Sequence, residues 1–230
     1  MIKLVAFDLD GTLLDTAQDF YLAVNTLRER YGIEKADFNE VRSRVSQGAI
    51  SLASYAMGTD EDKGSREELI EDGKLTASKD LELFRLELLD IYKKCSIKNT
   101  SIFEGIDLVL DSLNNRKMCW GIVTNKPRFF AEEIVEATLS KYKPTFLICP
   151  DDTGKRKPSP EGLILACEKA ETLPLNSTYI GDHSIDIIAG KKAGMRTMAA
   201  AYGYVPKGEN AKDWQADFLV ESPKEILNFI

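Results

Sequence analysis

Alternation of short apolar runs with helix-patterned stretches constrains this chain more than any other feature. "IKLVAF" (residues 2–7) is followed, after a long gap, by "MCWGIVT" (118–124), "TFLICP" (145–150), "STYIGD" (177–182) and "RTMAAAY" (196–202), with "DFLV" (217–220) as a sixth run. Each is of strand length and mostly apolar, the pattern of a strand buried on both faces. Residues 105–117, 128–139, 160–170 and 185–193 between them carry helical periodicity. Strand and helix alternating in this way predict an α/β fold, a parallel sheet covered on both faces in three αβα layers.

The long gap breaks the rhythm. Residues 15–99 read as helix only, with a start at Asp15 or Thr16, a stop at Gly32, and further helices over 38–57 and 67–95. "GTDEDKGSREE" (58–68) is polar and turn-rich, an exposed and mobile connection. The expected organisation is a core of residues 1–14 and 100–230 interrupted by a helical module of residues 15–99. Such an insertion would hang over the carboxyl ends of the strands, where open α/β sheets bind ligands.

With 43% hydrophobic and 29% charged residues, the chain has the makings of a soluble protein with a sizeable core. Its net charge of −7 argues against nucleic acid or an anionic membrane as a partner. An anionic substrate would need a local basic site or a metal. No apolar run reaches the roughly 18 residues of a membrane span, and the first residues turn acidic too soon for a signal peptide. Cys95, Cys119, Cys149 and Cys167 have neither zinc-site nor disulfide spacing; buried, reduced thiols in a cytoplasmic protein are expected.

The first run ends in "FDLDGT", which places Asp8 and Asp10 on one side of a strand end. Gly11 frees the backbone just beyond, and Thr12 adds a hydroxyl and an amide. Like charges so close destabilise one another unless a cation or a reaction uses them. Solvated aspartates on a turn are one alternative. A calcium loop is another, but it needs a leading helix and a Glu at its twelfth position, where this chain has Asp19. The other strand ends carry further polar groups. "IVTNKP" offers Thr124 and Asn125 at a helix start, suited to a phosphate oxygen or simply a helix cap. "GKRKPSPEG" holds Lys157 before a helix expected to begin at Pro160, and alone resembles a solvated basic patch. "GDHSID" adds Asp182 and Asp186, which alone would cap a surface helix.

In this order, each just after a predicted strand, the four segments resemble the motifs of the haloacid dehalogenase-like hydrolase superfamily. The likeness covers nearly the whole chain, since the helical module resembles that family's first (C1-type) cap. It is strongest toward the phosphoglycolate phosphatase group and its N-acetylmuramic acid 6-phosphate phosphatase branch, through "VRSRVSQGA", "GIVTNKP", "KPSPEGLILAC" and "AAYGYVPKGENAKDWQADFLVESP". The resemblance implies a Rossmann-like core, Mg²⁺ as cofactor, and a small phosphorylated metabolite as substrate. It implies Asp8 as nucleophile and Asp10 as general acid and base. It further implies Lys157 and Thr124 as partners of the transferring oxygens, with Thr12 and Asn125 near the phosphate. The metal would be held by Asp8, the Asp10 carbonyl and Asp182, with Asp186 supporting it.

The resemblance also places the loop "RSRVSQGA" (42–49) near the site, under a cap that closes and excludes water. Arg42 or Arg44 would meet a substrate carboxylate, with Gln47 and Gly48 beside them. Taken singly, either arginine also fits a plain helix surface. His183, the only histidine, is not needed by this mechanism; a loop role or leaving-group contact is expected. A sugar phosphomutase of the same superfamily and a non-catalytic phosphate-binding protein are the competing readings, and dehalogenation is disfavoured by the metal-binding carboxylates. A monomer or homodimer is expected.

Overall fold

Strand β1 (Leu4–Phe7) is buried along its whole length, as befits a strand at the centre of a parallel sheet with helices on both faces. The computed structural model of the chain describes residues 2–59 and 79–230. Within them the other strands are β2 (Leu14–Asp15), β3 (Ser101–Ile102), β4 (Cys119–Val123), β5 (Leu147–Ile148), β6 (Ser177–Gly181), β7 (Arg196–Ala200) and β8 (Phe218–Val220). The α-helices are α1 (Ala17–Arg30), α2 (Phe38–Arg42), α3 (Ala49–Ala56), α4 (Lys79–Cys95), α5 (Ile106–Asn115), α6 (Arg128–Leu139), α7 (Pro150–Thr153), α8 (Glu161–Lys169) and α9 (Ser184–Ala193). Contacts divide them into two compact units, residues Met1–Thr16 with Asn99–Ile230, and Ala17–Lys98.

In the first unit, six strands form one sheet in the order β5-β4-β1-β6-β7-β8, and all its pairs are parallel. The chain leaves β1 toward β4 and β5, then returns to β6 on the other side. In open α/β sheets ligands bind at such a reversal, beyond the carboxyl ends of the strands, here those of β1, β4 and β6. Phe7 pairs with Ile122 on one side and Ile180 on the other, so the residues that follow these strands emerge at a common edge. Alternate residues of β1 face opposite layers. Leu4 and Ala6 join Leu163, Ala166, Ala189 and Ala193 from α8 and α9 in one apolar cluster. Phe7 points the other way and meets the Trp120 ring edge-on at 6.2 Å. Trp120 in turn donates its indole proton to Asn114 of α5 at 3.0 Å. The three layers follow. The expected strand over 145–150 shrinks to β5, because Pro150 begins α7. The helix expected to begin at Pro160 begins one residue later, with Pro160 at its N-cap.

The described residues of the second unit form helices and turns, with no strand among them. Phe20 of α1 stacks on Tyr92 of α4, with ring centroids 4.0 Å apart, and Leu27, Leu52 and Leu88 are fully buried. The single helix expected over 38–57 is in fact two. Asp37 caps α2 by accepting hydrogen bonds from the amides of Asn39 and Glu40. After a 3₁₀ turn at Val45–Gln47, Gly48 takes φ 93° and ψ 175°. That conformation breaks any helix and favours glycine. The polar connection of 58–68 falls almost wholly outside the described residues, as does the 67–78 part of the last expected helix. No helix among the described residues is long and apolar enough to cross a membrane. All four cysteines are free; Cys119 is half-buried and the others buried.

Leu163 is fully buried between α8 and the sheet. Leu163→Ala should destabilise the protein by about 2–5 kcal/mol through lost burial and a residual cavity, read as a lower urea midpoint.

Candidate active site

Asp8 continues β1 by donating its amide to the Ile180 carbonyl at 2.8 Å. Asp182 directly follows β6, so the two carboxylates come from neighbouring strand ends. Asp182 is held from both sides. Its Oδ1 accepts from the Thr12 hydroxyl at 2.9 Å, and its Oδ2 from the Tyr204 amide at 2.9 Å. Two glycine backbones close around it. A Cβ on Gly11 would lie 2.1 Å from Asp182 Oδ2, and one on Gly203 would lie 2.3 Å from Asp182 Cβ. Gly11 also has φ +81°. The glycine of "DLDGT" therefore answers both to its turn and to a carboxylate packed against it.

Lys157 carries the opposing charge. Its buried ammonium lies 2.8 Å from Asp8 Oδ1 and 2.7 Å from Asp186 Oδ1, and donates to the Tyr179 hydroxyl at 2.9 Å. The Tyr179 hydroxyl donates onward to the Val123 carbonyl at 2.8 Å. The Asn125 side chain fixes Lys157 from behind, accepting from its amide at 2.8 Å and donating to its carbonyl at 3.1 Å. The side chains of Asn125 and Thr12, expected beside a phosphate, thus hold Lys157 and Asp182. Thr124 is buried, and its hydroxyl accepts from the Lys126 amide at 3.1 Å.

Asp10 is served by a different cation. Lys126 Nζ lies 3.0 Å and 3.2 Å from its two oxygens, and the Thr16 hydroxyl donates to Oδ1 at 2.7 Å. The sequence reading passed over Lys126, Tyr179 and Tyr204. A lysine inside "TNKP", beside two aspartates at the next strand end, was the available signal for the first. Tyr204, in the Tyr202-Gly203-Tyr204 loop, reads from sequence as packing and turn.

Burial pushes the Asp8 carboxyl up to about 6, with Lys157 pulling it down and Asp186 pushing it further up. Burial likewise pushes Asp182 up to about 8, reinforced by the charges of Asp8 and Asp186. For Lys157 burial acts against the charge, but the Asp186 and Asp8 carboxylates outweigh it and hold the ammonium above its ordinary range. Three carboxyl groups thus face one ammonium in the pocket.

Asp8, Asp182 and Asp186 each offer an oxygen, and these atoms all lie within 4.8 Å of one another. Asp8 Oδ1 is buried and accepts no well-directed hydrogen bond from the described residues; its 2.8 Å approach to Lys157 is an ionic contact. An orphaned carboxylate oxygen in an all-oxygen donor set fits a hard divalent cation such as Mg²⁺. Asp186 is engaged through both of its oxygens. Its Oδ1 meets Lys157 and Tyr179, and its Oδ2 accepts from the His183 amide at 3.1 Å in a capping box at the start of α9. Each of the three carboxylates could contribute an oxygen to such an ion. The His183 Nδ1 accepts from the Ile185 amide, and its ring stacks on Trp214.

The remaining expected residues lie in the Ala17–Lys98 unit. Arg44 donates to the Glu40 carbonyl at 3.0 Å and to its carboxylate at 2.6 Å, and lies over the Tyr55 ring at 4.5 Å. Gln47 donates to the Ser43 carbonyl and accepts from the Ser51 hydroxyl. Arg42 ends α2, and Gly48 is the break described above.

The chain is similar to several known proteins. A family model described as haloacid dehalogenase-like hydrolase matches residues 5–200. An N-acetylmuramic acid 6-phosphate phosphatase of Pseudomonas putida is 35% identical over 229 residues, covering 100% of this chain and 96% of the relative. A phosphoglycolate phosphatase of Xanthomonas campestris pv. campestris is 32% identical over 224 residues, 97% of this chain and 94% of the relative. Among solved structures, a haloacid dehalogenase-like family protein from Streptococcus pneumoniae superposes with a TM-score of 0.74 at 19% identity, covering 99% of this chain and 98% of that one.

Both raised carboxyls bind protons in the folded state that the unfolded chain, at the ordinary value of 3.8, releases. In metal-free protein their contribution to stability is therefore present below 3.8 and lost as pH rises through about 6 and about 8. A cation bound to the ionised groups acts in the opposite sense. The rise in Tm produced by millimolar Mg²⁺ should be larger at pH about 8 than at pH about 6; a rise independent of pH contradicts the assignment.

Proposed function

The chain belongs to the haloacid dehalogenase-like hydrolase family, and from that premise we propose that it is a Mg²⁺-dependent phosphatase of a small phosphomonoester, acting through an aspartyl-phosphate. The observation that carries this reading is the buried contact between Asp8 and Lys157 beside Asp182. An Asp8 oxygen attacks phosphorus while Asp10 gives a proton to the departing alcohol. Asp10 then takes a proton from the water that cleaves the Asp8–phosphorus bond. Lys157 holds charge on a transferring oxygen, and Thr124 positions the phosphoryl group with its hydroxyl. Bound Mg²⁺, held by Asp8, Asp182 and the Asp10 carbonyl, would supply the positive charge that draws an anion into an acidic pocket. A cytoplasmic enzyme fits this reading.

The names of the relatives point to phosphoglycolate or N-acetylmuramic acid 6-phosphate as the substrate class. Both carry a carboxylate, which a guanidinium recognises in bidentate fashion. We assign that role to Arg42, the residue that opens the 42–49 loop. Gln47 and Gly48 complete the proposed contact loop.

Asp8→Asn should lower phosphate release by about a thousandfold or more while the fold persists, measured by inorganic phosphate assay and thermal melting. Unchanged turnover would remove Asp8 from the nucleophile role, and sugar isomerisation without phosphate release would favour the mutase. Arg42→Ala should raise KM about tenfold for carboxylate-bearing phosphomonoesters and much less for p-nitrophenyl phosphate. Arg44→Ala should lower Tm instead. Equal effects on both substrates would unseat Arg42.

A further inference from the structure

Each aspartate of "DLD" has its own buried lysine, and the reading above gives work to only one of them. Lys126 and Asp10 form a side-chain pair that is 5% and 14% exposed. Surface ion pairs contribute little and need no fixed geometry. A buried ammonium is different, since it is strongly unfavourable without a partner. Here one ammonium reaches both oxygens of one carboxylate, and Thr16 adds a third contact from a separate segment.

Three consecutive residues divide the labour. Thr124 accepts the Lys126 amide, Asn125 fastens Lys157 by its backbone, and Lys126 reaches Asp10. The turn after β4 therefore fixes a partner of each aspartate. We propose that Lys126, together with Thr16, is the positioning residue that holds the Asp10 carboxyl group in the one orientation from which it exchanges a proton with the leaving oxygen. This rests on the phosphatase reading, in which Asp10 gives its proton to the alcohol oxygen as the phosphorus–oxygen bond breaks. The carboxylate left behind regains a proton from the attacking water as the Asp8–phosphorus bond breaks. Proton transfer requires hydrogen-bond reach, and a carboxyl group displaced by an ångström loses rate on the order of a hundredfold.

The experiment follows leaving-group release in a single turnover, so that only the first bond cleavage is read. An alkyl phosphomonoester needs a proton on its departing oxygen, whereas p-nitrophenolate leaves well without one. Lys126→Met should slow alcohol release at least about tenfold more than nitrophenolate release, and Lys126→Arg should recover part of that difference. Thr16→Val, which removes the other restraint, should show the same selectivity to a smaller degree, and decides the matter if Lys126→Met does not fold. Equal slowing with both substrates, no slowing, or faster alcohol release would overturn the proposal. Absence of phosphate release from any phosphomonoester by the unaltered protein would overturn the phosphatase reading itself, a result distinct from ordinary turnover without selectivity.

Discussion

Three carboxylates and one ammonium share a water-poor pocket where β1 and β6 end. Each such ion, buried alone, would destabilise the fold by several kcal/mol. Lys157 offsets part of the negative charge by lying within reach of Asp8 and Asp186 at once. Burial first, and the negative charge that remains second, push Asp8 and Asp182 upward. A divalent cation would offset that remainder, and an anionic substrate then meets a pocket no longer acidic.

This arrangement makes demands on the backbone that the sheet is suited to meet. Parallel strands deliver side chains to one edge, and open α/β sheets bind ligands at a reversal of chain direction such as that beside β1. Asp182 fits only because Gly11 and Gly203 have no side chains to displace it. Tyr179, three residues before Asp182 on β6, uses its hydroxyl to join Lys157 to the end of β4. The side chains of Thr12 and Asn125 hold Asp182 and Lys157 in place. Preorganisation of this kind lets charges act on a substrate without first rearranging.

Much of this was legible in the sequence, for physical reasons that differ from element to element. The strands of the main sheet are apolar on both faces, so burial alone marks them, and their flanking helices keep a regular period. β2 and β3 are too short to leave a pattern. Gly48 looked tolerable inside a helix because sequence does not report its φ. Asp8 stood out as one of two like charges at a strand end, whereas Asp182, Asp186 and Lys157, which alone fit a helix cap and a solvated patch, stood out through the order of the four segments and the family resemblance it carries. Lys126 did not, since its partner Asp10 lies 116 residues away and only the β1–β4 pairing brings them together. The hydroxyls of Tyr179 and Tyr204 are hidden in the same way, because an aromatic in a buried strand or loop is fully explained by packing until its partners are known.

The most direct test of the central claim is a crystal structure of the protein with Mg²⁺ and beryllium fluoride, a mimic of an acyl phosphate. The account predicts the fluoride group bonded to the Asp8 carboxylate, a metal ion shared by Asp8 and Asp182, and the Lys157 ammonium against a fluorine. Beryllium fluoride seated on another residue, or a metal ion bound away from Asp8 and Asp182, would contradict it.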